Sequence, residues 1–236
     1  MSRLKWDQVG ERLYETGVKE MALYLADDEG NYTDGVAWNG ISSVEETPSG
    51  AEPTDIFADD IKYVTLMSNE TYGSTITAYS SPEEFDEADG TKELAPGITI
   101  GQQNRRMFGF AYKSTIGNDV KGNDFGYTLT LVYGAKASPS SKTHSTINDS
   151  PEAAELSWEV NTTPVPVTGF APTSVMRIKS YRTDPALLKE LEDILYGTED
   201  TEPRLPLPDE VVEIIKKYPT DGGDTGSSEP DEGEEP

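Results

Sequence analysis

The sequence predicts a mainly β protein (β+α): an antiparallel β-sandwich or barrel with a flanking α-helix and long loops. Three observations predict it. Between Gly17 and Tyr181 the apolar residues recur with a period of two, in runs rich in Val, Ile, Tyr and Phe separated by Gly and Asn. Helical periodicity is concentrated near the C-terminus, so no strand–helix alternation calls for a parallel sheet. The chain has 236 residues, 34% of them apolar, enough for one large though lean core.

The elements follow in order. Residues 1–17 read as an N-terminal arm, and residues 18–198 as the β domain. Met21, Leu23 and Leu25 alternate with Ala22 and Tyr24, and the polar run Asp27–Asn31 then reads as a turn. Ser42–Asp60 is predicted as a long structureless loop, of the kind that in a compact domain is either functional or disordered. Ile61–Met67, Thr75–Tyr79, Met107–Lys113 and Tyr127–Tyr133 read as strands of the body. Ser81-Pro82-Glu83-Glu84 has the pattern of a capping box with Pro at the first helical position, so a short helix is expected there. A second long loop, Ala137–Ala153, precedes the alternating Leu156, Trp158 and Val160, and a last strand spans Val175–Tyr181.

Asp184-Pro185 then opens a helix over residues 184–196 that Gly197 closes, with Leu187, Leu188, Leu191, Ile194 and Leu195 on one face. Residues 199–219 read as a Pro-rich linker and a short helix capped by Asp209. That helix, with Val211, Val212, Ile214, Ile215 and Tyr218 as its stripe, is too short to stand alone and must dock on the body or on a neighbour. Residues 220–236 are acidic, rich in Gly, Ser and Pro, and expected to be disordered.

Composition excludes several chemistries. With no cysteine there is no disulfide, thiolate metal site or cysteine nucleophile, and one histidine rules out a pair of imidazoles from one chain. A net charge of −25 opposes nucleic-acid binding by phosphate neutralisation. Taking away the seven acids of the terminal tail still leaves −18 on residues 1–220, so the acidity belongs to the folded part too. No apolar run is long enough to span a membrane, and the first residues lack the apolar stretch of a signal peptide; the cytoplasm where the chain is made is the expected compartment.

No catalytic, cofactor-binding or metal-binding residues are supported. His144 sits in a Ser- and Thr-rich loop with nothing to orient it. Asp224-Thr225-Gly226 spells an aspartic-protease signature, but once and inside the acidic tail, whereas that chemistry needs two aspartates on ordered loops. Asp27-Asp28-Glu29-Gly30-Asn31 begins like a calcium loop, then places Tyr32 at the glycine position and Trp38 at the bidentate glutamate position. An alternative reading is a monomeric β-sandwich module binding carbohydrate or Ca²⁺, with Trp38, Tyr32 and Tyr72 as its exposed aromatics.

The order of segments carries a resemblance. "GVKEMALYLADDEGNYTDGVAWNGISSVEETPSG" leads to "EPTDIFADDIKYVTLMSNETYGSTITAYSSPEEF", and "MFGFAYKSTIGND", "YTLTLVYGAKASPS", "AELSWEVNTTPV" and "VMRIKSYRTDPALLKELEDILYG" follow. This pattern, over about residues 6–198, resembles the major tail tube protein of long-tailed, non-contractile (siphovirus-type) bacteriophages. The resemblance implies a structural virion protein, not an enzyme, needing no cofactor. It implies a homo-oligomer of hexameric rings stacked into a tube, with tail terminator, tape-measure and distal tail proteins as partners. Genomic double-stranded DNA would pass through without specific binding. Six subunits giving four strands each, at ~4.8 Å spacing and ~45° tilt, would close a barrel roughly 50 Å across, wide enough for a duplex of about 20 Å. Acidic walls would keep DNA from sticking. The loop Ser42–Asp60 would reach the next ring, with Glu45, Glu46, Ile56 and Phe57 as its contact candidates and Ile56 and Phe57 as apolar anchors.

Overall fold

The structure, a computed structural model, describes residues 3–147, 149 and 153–218. In chain order the elements are β1 (Leu13–Ala26), β2 (Tyr32–Trp38), β3 (Ile41–Glu46), β4 (Pro53–Ala58), β5 (Ile61–Met67), β6 (Gly73–Ala78) and α1 (Phe85–Asp89). They continue with β7 (Lys92–Ala95), β8 (Ile98–Ile100), β9 (Phe108–Asn118), β10 (Gly122–Ala137), β11 (Leu156–Thr162), β12 (Val165–Val167), β13 (Phe170–Thr173), β14 (Val175–Lys179), α2 (Pro185–Tyr196) and α3 (Pro208–Lys217). The protein is mainly antiparallel β with few helices, as the sequence predicts.

One sheet organises the molecule, with strand order β2-β1-β9-β10-β11-β6-β3 and β14 attached to β10. The two partners of β10 share a single edge. Thr128–Val132 pair with β14, and Ala135–Ala137 pair with β11. Gly134 lies between them with φ +62°, and a Cβ there would sit 2.0 Å from the Thr163 carbonyl oxygen. Only glycine fits this branch point. Beyond it the wing β11-β6-β3 folds back, so that β3 comes beside β1.

This folding makes residues 21–26 of β1, β9 and residues 128–137 of β10 a middle layer largely buried on both faces. Met21, Leu23, Phe108, Phe110, Tyr112, Val132 and Ala135 face the wing, meeting Trp38, Ile76, Phe85, Trp158 and Val160. The alternate residues Ala22, Tyr24, Ala111, Leu129, Leu131 and Tyr133 face the helices, meeting Leu187, Leu191, Leu195, Val211 and Ile214. A period of two with apolar residues on both phases is what such a layer requires.

The helical layer is fastened by polar groups at its margins. Tyr24 Oη donates to the Leu195 carbonyl at 2.7 Å and Tyr133 Oη to the Pro206 carbonyl at 3.0 Å. Lys113 Nζ joins Glu20 of β1 (2.6 Å) to Glu192 of α2 (2.9 Å) and lies over the rings of Tyr127 and Tyr196. The linker between the helices covers part of the β2 edge: Gly35 N donates to the Pro203 carbonyl at 2.8 Å, and Leu205 N to that of Tyr32 at 3.1 Å.

Two helix starts differ from the sequence reading. Helix α1 is Phe85–Asp89, not a helix from Pro82. Pro82 and Glu83 form a preceding turn whose carbonyls accept from the Phe85 and Asp86 amides, and no side chain caps the helix. Burial of Phe85 and Ala88 sets where it forms. In α3 the N-cap is Leu207, and Asp209 lies inside the first turn. Its carboxylate instead accepts from Thr168 N (2.7 Å) and Thr168 Oγ1 (2.9 Å), which ties α3 to the β12–β13 connection. Asp184 does cap α2, accepting from Ala186 N at 2.7 Å and Leu187 N at 3.3 Å. The 220–236 tail and its Asp224 motif lie outside the described residues, as does part of the Ala137–Ala153 loop.

Acid should loosen α3 first. Hydrogen bonds from Thr168 hold the Asp209 carboxyl below its usual range, and those from Lys217 and Tyr218 do the same for Glu190 of α2. A depressed folded value contributes stability above the ordinary carboxylate range that is lost as pH falls below it. The protection factors of the α3 amides, corrected for intrinsic exchange, should therefore fall below about pH 4 while those of β9 and β10 hold. Equal loss in both would contradict these anchors.

Candidate functional site

The span Ser42–Asp60 is not a structureless loop, and Ile61–Met67 is not a strand of the body. Residues 53–67 of these two spans form a hairpin arm. Residues 41–46 form β3 in the main sheet, Ser49 and Thr71 bridge at the root, and β4 pairs only with β5. Every residue of β4 and β5 is exposed. The amide-to-carbonyl bridges between Ser49 and Thr71, at 2.8 and 2.9 Å, fix where the arm leaves the body.

Register decides what the arm presents. Pro53↔Met67 through Ile56↔Val64 pair regularly; one residue, Tyr63, is then extra, and pairing resumes at Phe57↔Lys62 and Ala58↔Ile61. Residues directly opposite share a face. One face therefore carries Thr54, Ile56, Ala58, Ile61, Val64 and Leu66 and is almost wholly apolar. The other carries Pro53, Asp55, Phe57, Lys62, Thr65 and Met67. Polar contacts hold this second face together: Lys62 Nζ meets Asp55 Oδ1 at 2.7 Å, and Thr65 Oγ1 donates to the same oxygen at 2.7 Å. They keep the Asp55 carboxyl below its ordinary range, Lys62 foremost.

Among the described residues the apolar face has no partner in its own subunit. An isolated two-stranded hairpin is at best marginally stable in water, and a contiguous exposed apolar face of this kind marks an association site. The turn is also strained. Asp59 (φ +50°) and Asp60 (φ +62°) both occupy the left-handed region that a two-residue hairpin turn requires. Asp59→Asn with Asp60→Gly supplies the residues that region favours, without touching either face. The expected gain, from relief of the left-handed backbone cost, is about 1 kcal/mol in arm stability, read as slower exchange of the β4 and β5 amides; unchanged exchange would contradict it.

The four residues singled out in the sequence fall into different settings. Ile56 (40% exposed) and Phe57 (67%) both lie on the arm but on opposite faces. Glu45 is exposed on β3, opposite Thr75. Glu46 is engaged at the arm root, where its carboxylate accepts from Tyr112 Oη at 3.0 Å and from Arg177 Nη2 at 2.5 Å. Burial, with Glu46 beside it, pushes the Tyr112 phenol up to about 12. Sequence reasoning missed Ile61, Val64 and Leu66, because their strand was assigned to the body. It also missed a second exposed hairpin, β7–β8, with Leu94 and Ile98 at its surface.

Trp38, Tyr32 and Tyr72, the aromatics of the binding-module reading, are buried. Trp38 packs on Phe85 and Trp158 and donates from Nε1 to the Ser80 carbonyl at 2.8 Å, while Tyr32 Oη accepts from Gly134 N at 2.8 Å. They are core residues and present no ring to a glycan. Asp27 serves its turn, accepting from the amides of Glu29 (2.9 Å) and Asn31 (2.8 Å). Among the described residues no group of three or more acids or histidines gathers as metal ligands do. Strands β3 and β14 each have one hydrogen-bonded neighbour in the sheet, leaving two further open edges.

No family model matches the chain, and no curated protein is significantly similar to it in sequence. Among solved structures it is similar to a chain of the PVC sheath–tube complex of an extracellular contractile injection system in the extended state. The identity is 12%, over 68% of this chain and 88% of that one, with a TM-score of 0.30. A likeness that slight carries neither fold nor function across.

Proposed function

We propose that the chain is a structural, non-enzymatic subunit that self-assembles into stacked rings, hexameric as the sequence resemblance implies, forming a phage tail tube through which genomic DNA leaves the particle. The observation that carries this reading is the β4–β5 arm, whose apolar face of Ile56, Ile61, Val64 and Leu66 stays exposed among the described residues of its own subunit. Covering each of these side chains is worth roughly 1 kcal/mol, a useful contribution when every subunit repeats it.

Two further features support it. The open edges of β3 and β14 suit sheet continuation between neighbours in a ring. The net charge of −25 suits a conduit that must not hold DNA. On this reading the protein acts in the virion, needs no cofactor, and meets terminator, tape-measure and distal tail proteins at the tube ends. Sedimentation velocity over a concentration series tests self-association. Growth into species much larger than the 25.8 kDa subunit is expected, and a constant monomer at high concentration would overturn the reading.

A further inference from the structure

We infer that the apolar face of the arm in one copy seats on the N-terminal segment, residues 3–14, of a second copy, so that subunits join head to tail. This rests on the tube-subunit reading and names the surface that receives the arm.

The segment has the right chemistry. Leu4, Trp6 and Val9 are 73, 73 and 78% exposed, and Leu13 and Tyr14 are also exposed. Val120, exposed in the β9–β10 turn, lies near Gly10, where an added Cβ would sit 3.9 Å from its Cγ2. The segment is tied to the body at Gly10 and, through Leu13 and Tyr14, along β9. Gly10 N donates to Asp119 Oδ1 at 2.9 Å, Asn118 Nδ2 donates to the Gly10 carbonyl at 3.0 Å, and Arg12 Nη2 donates to the Asp7 carbonyl at 2.9 Å. A fixed apolar surface loses less entropy on binding than a loose one, and Trp and Arg are the residues enriched at interface hot spots.

Charge selects this pairing. Within a chain of −25, residues 3–19 carry +1, with Arg3, Lys5, Arg12 and Lys19 against Asp7, Glu11 and Glu15. Residues 52–70 carry −4, with Glu52, Asp55, Asp59, Asp60 and Glu70 against Lys62. Arm against arm would oppose two like-charged surfaces and stop at a two-fold dimer. Arm against N-terminal segment joins unlike charges and uses two different surfaces, which leaves each copy free to accept the next.

The chain has no cysteine, so single introduced thiols report the contact cleanly. Thr54→Cys lies on the apolar face of the arm and Val9→Cys on the segment, both at exposed positions. The two variants, distinguished by mass tags, are mixed under assembly conditions and oxidised. The mixed disulfide should dominate over both same-variant dimers. A dominant Thr54→Cys dimer, or assembled particles with a random mixture of the three, would overturn the docking while leaving the tube reading standing. Monomers without cross-links would overturn both. Trp6→Ala should raise the concentration needed for assembly about 30-fold; assembly at the unmodified concentration would count against the docking.

Discussion

Ile56→Lys combined with Leu66→Lys should give a folded monomer that no longer assembles. Both side chains lie on the apolar face of the arm, and neither belongs to either core. Native stability should therefore change by less than about 0.5 kcal/mol, as for surface substitutions away from packed features. Two anchors removed from every contact, at roughly 1 kcal/mol each, predict at least a 30-fold higher concentration for half-maximal assembly. Sedimentation measures this, and circular dichroism confirms the fold. Assembly at the unmodified concentration would show that the arm is not the contact.

The opposite result is expected of Phe85→Ala: a large loss of stability that leaves the arm intact. Phe85 is fully buried between Trp38 (ring centroids 4.5 Å apart), Trp158 (5.1 Å) and Phe108 (5.5 Å). With Ala88 it is where α1, a helix of five residues, meets the core. Truncation removes the ring's transfer free energy and leaves a cavity among rigid aromatics that cannot collapse, at a cost of about 3–5 kcal/mol. Urea denaturation reads the cost directly. A loss under about 1 kcal/mol would mean that the wing and the middle layer do not meet through this cluster.

The two variants separate packing from association, and the sequence separates them poorly. Helix α2 was legible because its signals are local: Asp184 as cap, Pro185 behind it, and leucines at helical spacing. The strands of the middle layer were legible as strands. Their burial on both faces was not, because the branch at Gly134 that folds the wing back leaves no local trace beyond a glycine. Ile61–Met67 has the same β-forming residues as Tyr127–Tyr133, yet the first is exposed throughout and the second lies in the core or at its margin. Composition records that an apolar face will be covered, not which chain covers it. The same gap explains Trp38, Tyr32 and Tyr72: an aromatic beside a polar turn reads as surface until cross-strand partners place it inside. Polar residues misled in the other direction. Asp209 has the sequence position of a cap, but Thr168, 41 residues away, uses its carboxylate instead.

The most direct test of self-assembly into a tube is negative-stain electron microscopy of the full chain over a rising concentration series, beside the Ile56→Lys, Leu66→Lys variant. Hollow rings and stacked tubes from the unmodified chain, absent from the variant, are the predicted result. Dispersed single particles from the unmodified chain at every concentration would contradict it.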